Sequence, residues 1–497
     1  MKRGLALMAL ILALALLLPV PPSAIYAKAS SSQALGDVLT YEVAFQEPEV
    51  LELAEGSLIE VPGCIQTLIP GLPIIPAKTA VIVLPPGKEL LNVSVQALDG
   101  RELPGTYELL VAPQPRMLGL GPGAGGHARP TALGVFPEHP YHVGKGVKVW
   151  RGYRLLPLTL FPIQYDAYEG RVTFYRRFLI TLSLADGGTY GHARPSPAVL
   201  RALRELAINP EVLGEYQVEA SSEKGYLIIT RPLFSSVANQ LGSLLLDEGY
   251  TVHIEYVDDI VADYTGSDIP EKIRNCIKDY YNSYSYEDLY VLLLGDADPD
   301  DATSGYELDK DWEVPTRYIY NPDPDNGYDN AYTGLPNDLT PSDFYYAGLD
   351  GTWDDDGDGY YGEGPSYSSA GVDEADWLAE VWVGRLPVRT VEQASLYVAK
   401  LDAYLDSLRN RDKPMLLLGA HLFDTDPSYY TDGAWACDKS ATFYPPEVVK
   451  RRLYENEGNL TYANVVDEIN TQDPEFVCSA SHGSIGGLWL YWTSETF

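Results

Sequence analysis

The sequence predicts a multidomain protein, with an all-β amino-terminal domain followed by two α/β subdomains on mostly parallel sheets. Three observations predict it. Residues 38–186 carry strand patterns punctuated by Pro and Gly, without helix-length periodicity. From Gly225 onward, continuous apolar runs alternate with amphipathic segments, as expected of strands covered on both faces. Lys413-Pro414 then breaks the chain and the alternation restarts. With 497 residues there is material for several cores.

Residues 1–29 belong to none of these domains. Lys2 and Arg3 precede a Leu/Ala run from Leu5 to Leu18, which Pro19, Pro21 and Pro22 interrupt before Ala27-Lys28-Ala29. This is the pattern of a secretory signal peptide, and its apolar run is short for a bilayer span. The mature chain is expected to be secreted or held at the cell surface, with no membrane span after signal cleavage. Losing Lys2, Arg3 and Lys28 takes the net charge from −35 to −38. Such an acidic surface repels nucleic acid.

The four cysteines, Cys64, Cys276, Cys437 and Cys478, form neither a disulfide framework nor a zinc pattern. Cys276 shares a helical face with Ile273, Ile277 and Tyr280, so it is expected in a core. Cys478 reads as strand packing.

In the amino-terminal domain, TAVIVLPPGKELLNVSVQAL gives two strands around Pro85-Pro86-Gly87, and RVTFYRRFLITLSL gives a third. A sandwich is expected. Residues 187–224 read as a connector with one short helix. The first α/β subdomain, 225–411, opens with the strand YLIIT; Pro232 then starts a helix that Gly249 ends. Next come the strand YTVHIEYV, a helix from Ile269 to about Tyr284, the strand LYVLLLGDADPD, the strand Ala379 to Leu386 and a helix from Val391. The second, 412–497, begins at MLLLGAHLF and is expected to contain a helix near PPEVVKRRLYENEG, then a strand ending near His482.

Two stretches carry chemistry. EFVCSASHGSIGG reads as a buried strand that delivers His482 to a Gly-rich loop, the place where α/β sheets build their sites, and histidine exchanges protons near neutral pH. A bland turn histidine is the alternative, and His421 after LLLGA, with Asp424 nearby, is a lesser candidate. Asp296 and Asp298 after LLLGD read as turn caps. LDGTWDDDGDGYYGE spaces Asp354, Asp356 and Asp358 at alternate positions before Gly359, a loop that aims carboxylates at one hard cation such as calcium. Pro365 stands at the twelfth position, where an EF-hand has glutamate, so Glu363 or a distant acid must close the shell.

The ordered series GLPIIPAKTAVIVLPPG, FPEHP, RGYRLLPLTLFPIQY, GYLIIT, DEGYTVHIEYVDDI, VLLLGDAD, DFYYAGLDGTWDDDGDG, EVWVGRLPVRT and SHGS resembles the gingipain family of secreted cysteine peptidases, within the caspase-like clan, from about residue 40 onward. The resemblance implies a β pro-domain, caspase-like α/β subdomains, calcium binding and hydrolysis of peptide bonds by a Cys/His pair. His482 matches the family's histidine, which activates the thiol and protonates the leaving amine. Glu380 matches the acid that orients it, although an ion pair with Arg385 is an equal alternative, and Gly483 is a candidate oxyanion donor.

In this clan the nucleophile ends the strand after the histidine's. Only fifteen residues follow His482, none of them Cys, whereas a parallel crossover needs roughly a dozen residues before its strand begins. The catalytic cysteine is therefore expected beyond Phe497, and this chain alone is expected to be inactive. The competing expectations are a non-catalytic calcium-binding extracellular scaffold on the same fold, or a hydrolase with another nucleophile. Protein or peptide substrates follow from the resemblance; side-chain specificity does not.

Overall fold

The computed structural model describes residues 37–53, 56–69, 71–112, 134–187, 192–218, 221–297, 313–320, 339–363, 373, 375–407, 414–422, 433–442, 444, 447–484 and 487–489. The expected signal peptide, Asp298, Pro365 and Asp424 lie outside them.

The amino-terminal domain is two packed antiparallel sheets. The named strands are β1 (Asp37–Ala44), β2 (Pro76–Val83), β3 (Lys88–Glu102), β4 (Tyr153–Leu160), β5 (Ile163–Asp166) and β6 (Arg171–Asp186). In one sheet β6 is central, pairing with β1, β3 and β5; in the other, β4 pairs with β2. Alternation along β6 aims Val172, Phe174, Phe178, Ile180, Leu182 and Leu184 inward, against Ile82, Leu156, Leu158 and Leu160 of the facing sheet. Burial of each such side chain contributes about 1.5–3 kcal/mol. β4 is buried on both faces because α1 (Pro197–Leu206) covers its outer side: Val199, Leu203 and Leu206 pack on Val81, Val83, Tyr153 and Leu155. The segment expected as a connector is thus part of this domain's packing. Asn209 seals it, its buried amide bonding both the N–H and the C=O of Val83 at 2.8 Å.

The first α/β unit comprises β7 (Lys224–Thr230), α2 (Ser235–Asp247), β8 (Tyr250–Tyr256), α3 (Val257–Asp263), α4 (Ile269–Ser283), β9 (Asp288–Leu294), β10 (Trp382–Leu386) and α5 (Val391–Ser407). Its main sheet has four parallel strands among the described residues, in the order β8-β7-β9-β10, beside a separate antiparallel pair, Arg317–Tyr320 with Leu339–Ser342. Leu227, Ile229, Val291 and Leu293 face Ile273, Cys276 and Ile277 of α4, while Ile228, Leu292 and Leu294 face α2 and α5. The apolar runs are continuous because both faces are covered. Cys276 is fully buried, as its helical spacing implies.

The second unit holds β11 (Met415–Gly419), α6 (Gly433–Ala441), β12 (Lys450–Tyr454), α7 (Tyr462–Gln472) and β13 (Phe476–Ala480), with parallel strand order β12-β11-β13. Here the sequence expectation fails: VVKRRLYENEG supplies strand β12, and the helix lies later, at α7. The charges explain the misreading. Lys450, Arg451 and Arg452 look like a solvated helix face but lie on an outer strand, where Arg451 pairs with Glu468 of α7 and Arg452 with Asp438 of α6 at 2.8 Å. The strand expected from Ala379 also starts later, at Trp382, because the Glu380 N–H turns aside to Ala347 O at 3.0 Å.

Candidate active site and acidic loops

β13 leads directly into a short hairpin, His482–Ser484 paired with Gly487–Trp489. The register Gly419↔Ala480 places His421 and His482 each two residues beyond the last matched pair of neighbouring parallel strands, at the same carboxyl end. The backbone therefore brings the two histidine candidates together. His421 donates its N–H to Glu455 Oε2 at 2.7 Å. The side chains of His482 and Gly483's neighbours in the hairpin lie outside the described residues.

None of the four cysteines lies free at that strand end. Cys64 belongs to the β domain and Cys276 to the α4 core. Cys437 is fully buried on α6, its Sγ 3.3 Å from Leu418 O and 3.7 Å from Cys478 O. Cys478 packs with it on the sheet face that α6 covers, beside Met415, Leu417 and Tyr454. Cys478 pairs with Leu417 in mid-strand, so neither thiol stands at the carboxyl end where the hairpin begins. α6 approaches this closely because its first residue is glycine: a Cβ on Gly433 would sit 2.3 Å from Ala480 O and 2.5 Å from Ala420 O.

Glu380 is buried in a different place. Its Oε2 accepts the Leu349 N–H at 2.8 Å, and its carboxyl groups with those of Asp376 and Asp350. Asp376 accepts N–H groups from Asp350 at 3.1 Å and Leu378 at 3.0 Å. Burial, then the charge of Asp376, pushes the Glu380 carboxyl well above its ordinary range; burial raises Asp376 to about 6. The neighbouring Arg274 spends its donors on the carbonyls of Gly348, Asp350 and Gly351. The ion pair considered for Glu380 with Arg385 does not form, since Arg385 binds Asp343 at 2.6 Å. Asp296 pairs with Arg389.

The acidic loop is tightly turned. Gly357 and Gly359 take φ values of 77° and 88°, which glycine adopts without strain. Asp354 Oδ2 accepts the Gly359 N–H at 3.2 Å, while its Oδ1 is buried with no hydrogen-bond partner. Ligand atoms of Asp354, Asp356 and Asp358 lie within 4.8 Å of one another, and a second set within that distance joins Asp356 to Glu363 and Asp373. Asp373 is the residue that sequence reasoning left unnamed. It ties the loop together, accepting the N–H of Asp355 at 2.7 Å and of Glu363 at 3.1 Å. Burial raises its carboxyl above the usual range, with Asp354 and Asp355 adding to the effect. Ten residues separate it from Glu363, so no local spacing rule reaches it.

The model of peptidase family C25 matches residues 219–496. The chain belongs to this family, the gingipain family. No curated protein matches it. Among solved structures, it is 11% identical to the complex of Porphyromonas gingivalis RgpB pro- and mature domains, covering 37% of this chain and 96% of that one, with a TM-score of 0.26. Gingipain K of the same organism, solved for its zymogenic latency, gives 20% identity, 33% and 96% coverage and a TM-score of 0.26. Dimeric latent PorU from that organism gives 12%, 76%, 39% and 0.25. TM-scores this low carry no structural weight, so the C25 assignment stands on the family match.

Proposed function

We propose that this chain carries the pro-domain and the catalytic histidine of a secreted, gingipain-like cysteine endopeptidase zymogen. Membership of the C25 family supports a cysteine peptidase acting on protein or peptide substrates. The observation that carries the finer reading is Ser481-His482-Gly483 at the carboxyl end of a parallel strand within the matched residues.

In this reading the His482 imidazole takes the proton of a cysteine thiol and later returns it to the leaving amine. The Gly483 N–H holds the developing oxyanion. Cys437 and Cys478 lie on the sheet face that α6 covers and Cys64 and Cys276 in other cores, so none of these four thiols stands at the carboxyl strand end. Glu380 as the orienting acid rests on the resemblance alone. Its grouping with Asp376 favours a neutral carboxyl, and a neutral acid gives an imidazolium little stabilisation.

The same reading includes calcium. Clustered carboxylates of Asp354, Asp356 and Asp358, together with a buried, unpartnered Asp354 Oδ1, fit a hard cation. Asp354, Asp356, Asp358 and Glu363 would hold it, with Asp373 fixing the loop; its role is to stabilise the loop. Export rests on the Lys2-to-Ala29 pattern; no helix among the described residues is long and apolar enough to cross a membrane.

A second reading, a non-catalytic calcium-binding scaffold, is favoured by the position of the four cysteines. Expression from the full reading frame distinguishes the two. Peptide hydrolysis stopped by a thiol alkylating agent and absent in His482→Ala supports the peptidase; a folded, calcium-binding protein without hydrolysis supports the scaffold.

A further inference from the structure

Beneath the strand that carries His482 lies a pair of thiols with no part in that chemistry. Cys437 projects from α6 onto β13, its Sγ 3.7 Å from the carbonyl oxygen of Cys478, so the two residues are direct neighbours. Both belong to one apolar cluster, with Ala434, Ala441, Met415, Leu417 and Tyr454 around them. Their exposure differs: Cys437 is fully buried, whereas Cys478 is partly open to solvent. An outside reagent reaches Cys478 first and Cys437 only through it.

We infer that Cys437 and Cys478 form a redox-active dithiol that closes to a disulfide on meeting a small-molecule disulfide, fastening α6 to the His482 strand. The Cys478 thiolate attacks one sulfur of the reagent, forming a mixed disulfide and releasing one thiolate. Cys437 gives up its proton to that thiolate, attacks the Cys478 sulfur and expels the second reagent thiol. Two protein thiols are oxidised, and one reagent disulfide is reduced to two thiols.

The thiols differ in the way this order requires. The neighbouring Cys437 thiol, then Ser440, lowers Cys478 to about 6, while the Cys478 thiol and burial raise Cys437. A thiolate near neutral pH is the attacking species. Burial pushes Cys64 and Cys276 each up to about 12, so both remain thiols. Cys64 and Cys276 also sit in separate cores from this pair and from each other.

The test incubates the chain with oxidised glutathione at pH 7.5, then denatures it and counts thiols by mass after alkylation. The expected result is a fall from four thiols to two, a loss of about 2 Da and a Cys437–Cys478 cross-linked peptide; dithiothreitol restores all four. Cys437→Ser removes the resolving thiol and is expected to accumulate one glutathione on Cys478. Cys478→Ser is expected to take up neither glutathione nor a cross-link, and serves if Cys437→Ser does not fold. Four titratable thiols after oxidation, a cross-link through Cys64 or Cys276, or a stable glutathione adduct on the unmutated chain overturns the inference.

Discussion

Arg151 of the β domain and Asp288, the first residue of β9, are joined by a 2.7 Å ion pair whose side chains are 1% and 7% exposed. The carboxylate also accepts the Trp382 indole N–H at 2.8 Å, while Trp150 bonds Ala379 O at 2.8 Å. All these contacts gather at the amino ends of β9 and β10, so the β domain is tied to the end of this sheet opposite the strands' carboxyl ends. Arg151→Ala leaves a buried carboxylate with one donor and is expected to cost about 3–5 kcal/mol. Arg151→Met with Asp288→Asn is expected to recover part of that loss. Urea unfolding of the full chain measures both.

The acidic loop is expected to bind calcium through its carboxylates. Asp373→Asn keeps the size of the side chain but weakens the hold on Asp355 and Glu363, and is expected to lower calcium affinity about 10- to 100-fold. Asp356→Asn, at the residue common to both carboxylate sets, is expected to lower it at least as much. Isothermal titration with calcium measures affinity, and EGTA is expected to lower the melting temperature of the unmutated chain more than that of either variant.

The Asp376–Glu380 pair carries a pH dependence of definite sign. Burial raises both carboxyls above their unfolded values, so the folded chain holds protons the unfolded chain has lost. Their stabilising contribution is complete below the unfolded pKa values and is lost as pH rises through the folded ones, near 6 for Asp376. Glu380→Gln removes one titration while its amide oxygen still accepts the Leu349 N–H. It is expected to flatten the decline in stability as pH rises above the ordinary carboxyl range and to leave the chain no less stable at pH 7.5. Denaturant unfolding at a series of pH values tests this; an unchanged slope contradicts it.

Strands covered on both faces were the most legible part of the sequence. YLIIT and LYVLLL lie within β7 and β9, and the spacing of Ile273, Cys276 and Ile277 matches their burial on α4. Legibility failed where charge imitates a helix, at Lys450 to Arg452, and where a strand is cut short by a tertiary bond, at Glu380. At the acidic loop the alternate aspartates were readable because they are local. Asp373 was not, since it reaches the loop from beyond a segment whose length no motif defines. The histidine strand was legible for the same local reason, but it is not the buried strand leading to a loop that its apolar run suggests. Among the described residues it is an outer strand, with Phe476 and Val477 48% and 51% exposed, and a hairpin follows it. The placement of Cys437 against Cys478 depends on α6, a short helix with a weak apolar pattern.

The central claim is peptide hydrolysis by a cysteine that His482 activates. The direct measurement expresses the protein from its full reading frame and follows peptide cleavage alongside the rate of iodoacetamide labelling in the unmutated protein and in His482→Ala. The account predicts cleavage that is lost when one cysteine is alkylated, and slower labelling of that cysteine with no cleavage in His482→Ala. Cleavage that survives both alkylation and His482→Ala, or no cleavage by the unmutated protein, contradicts it.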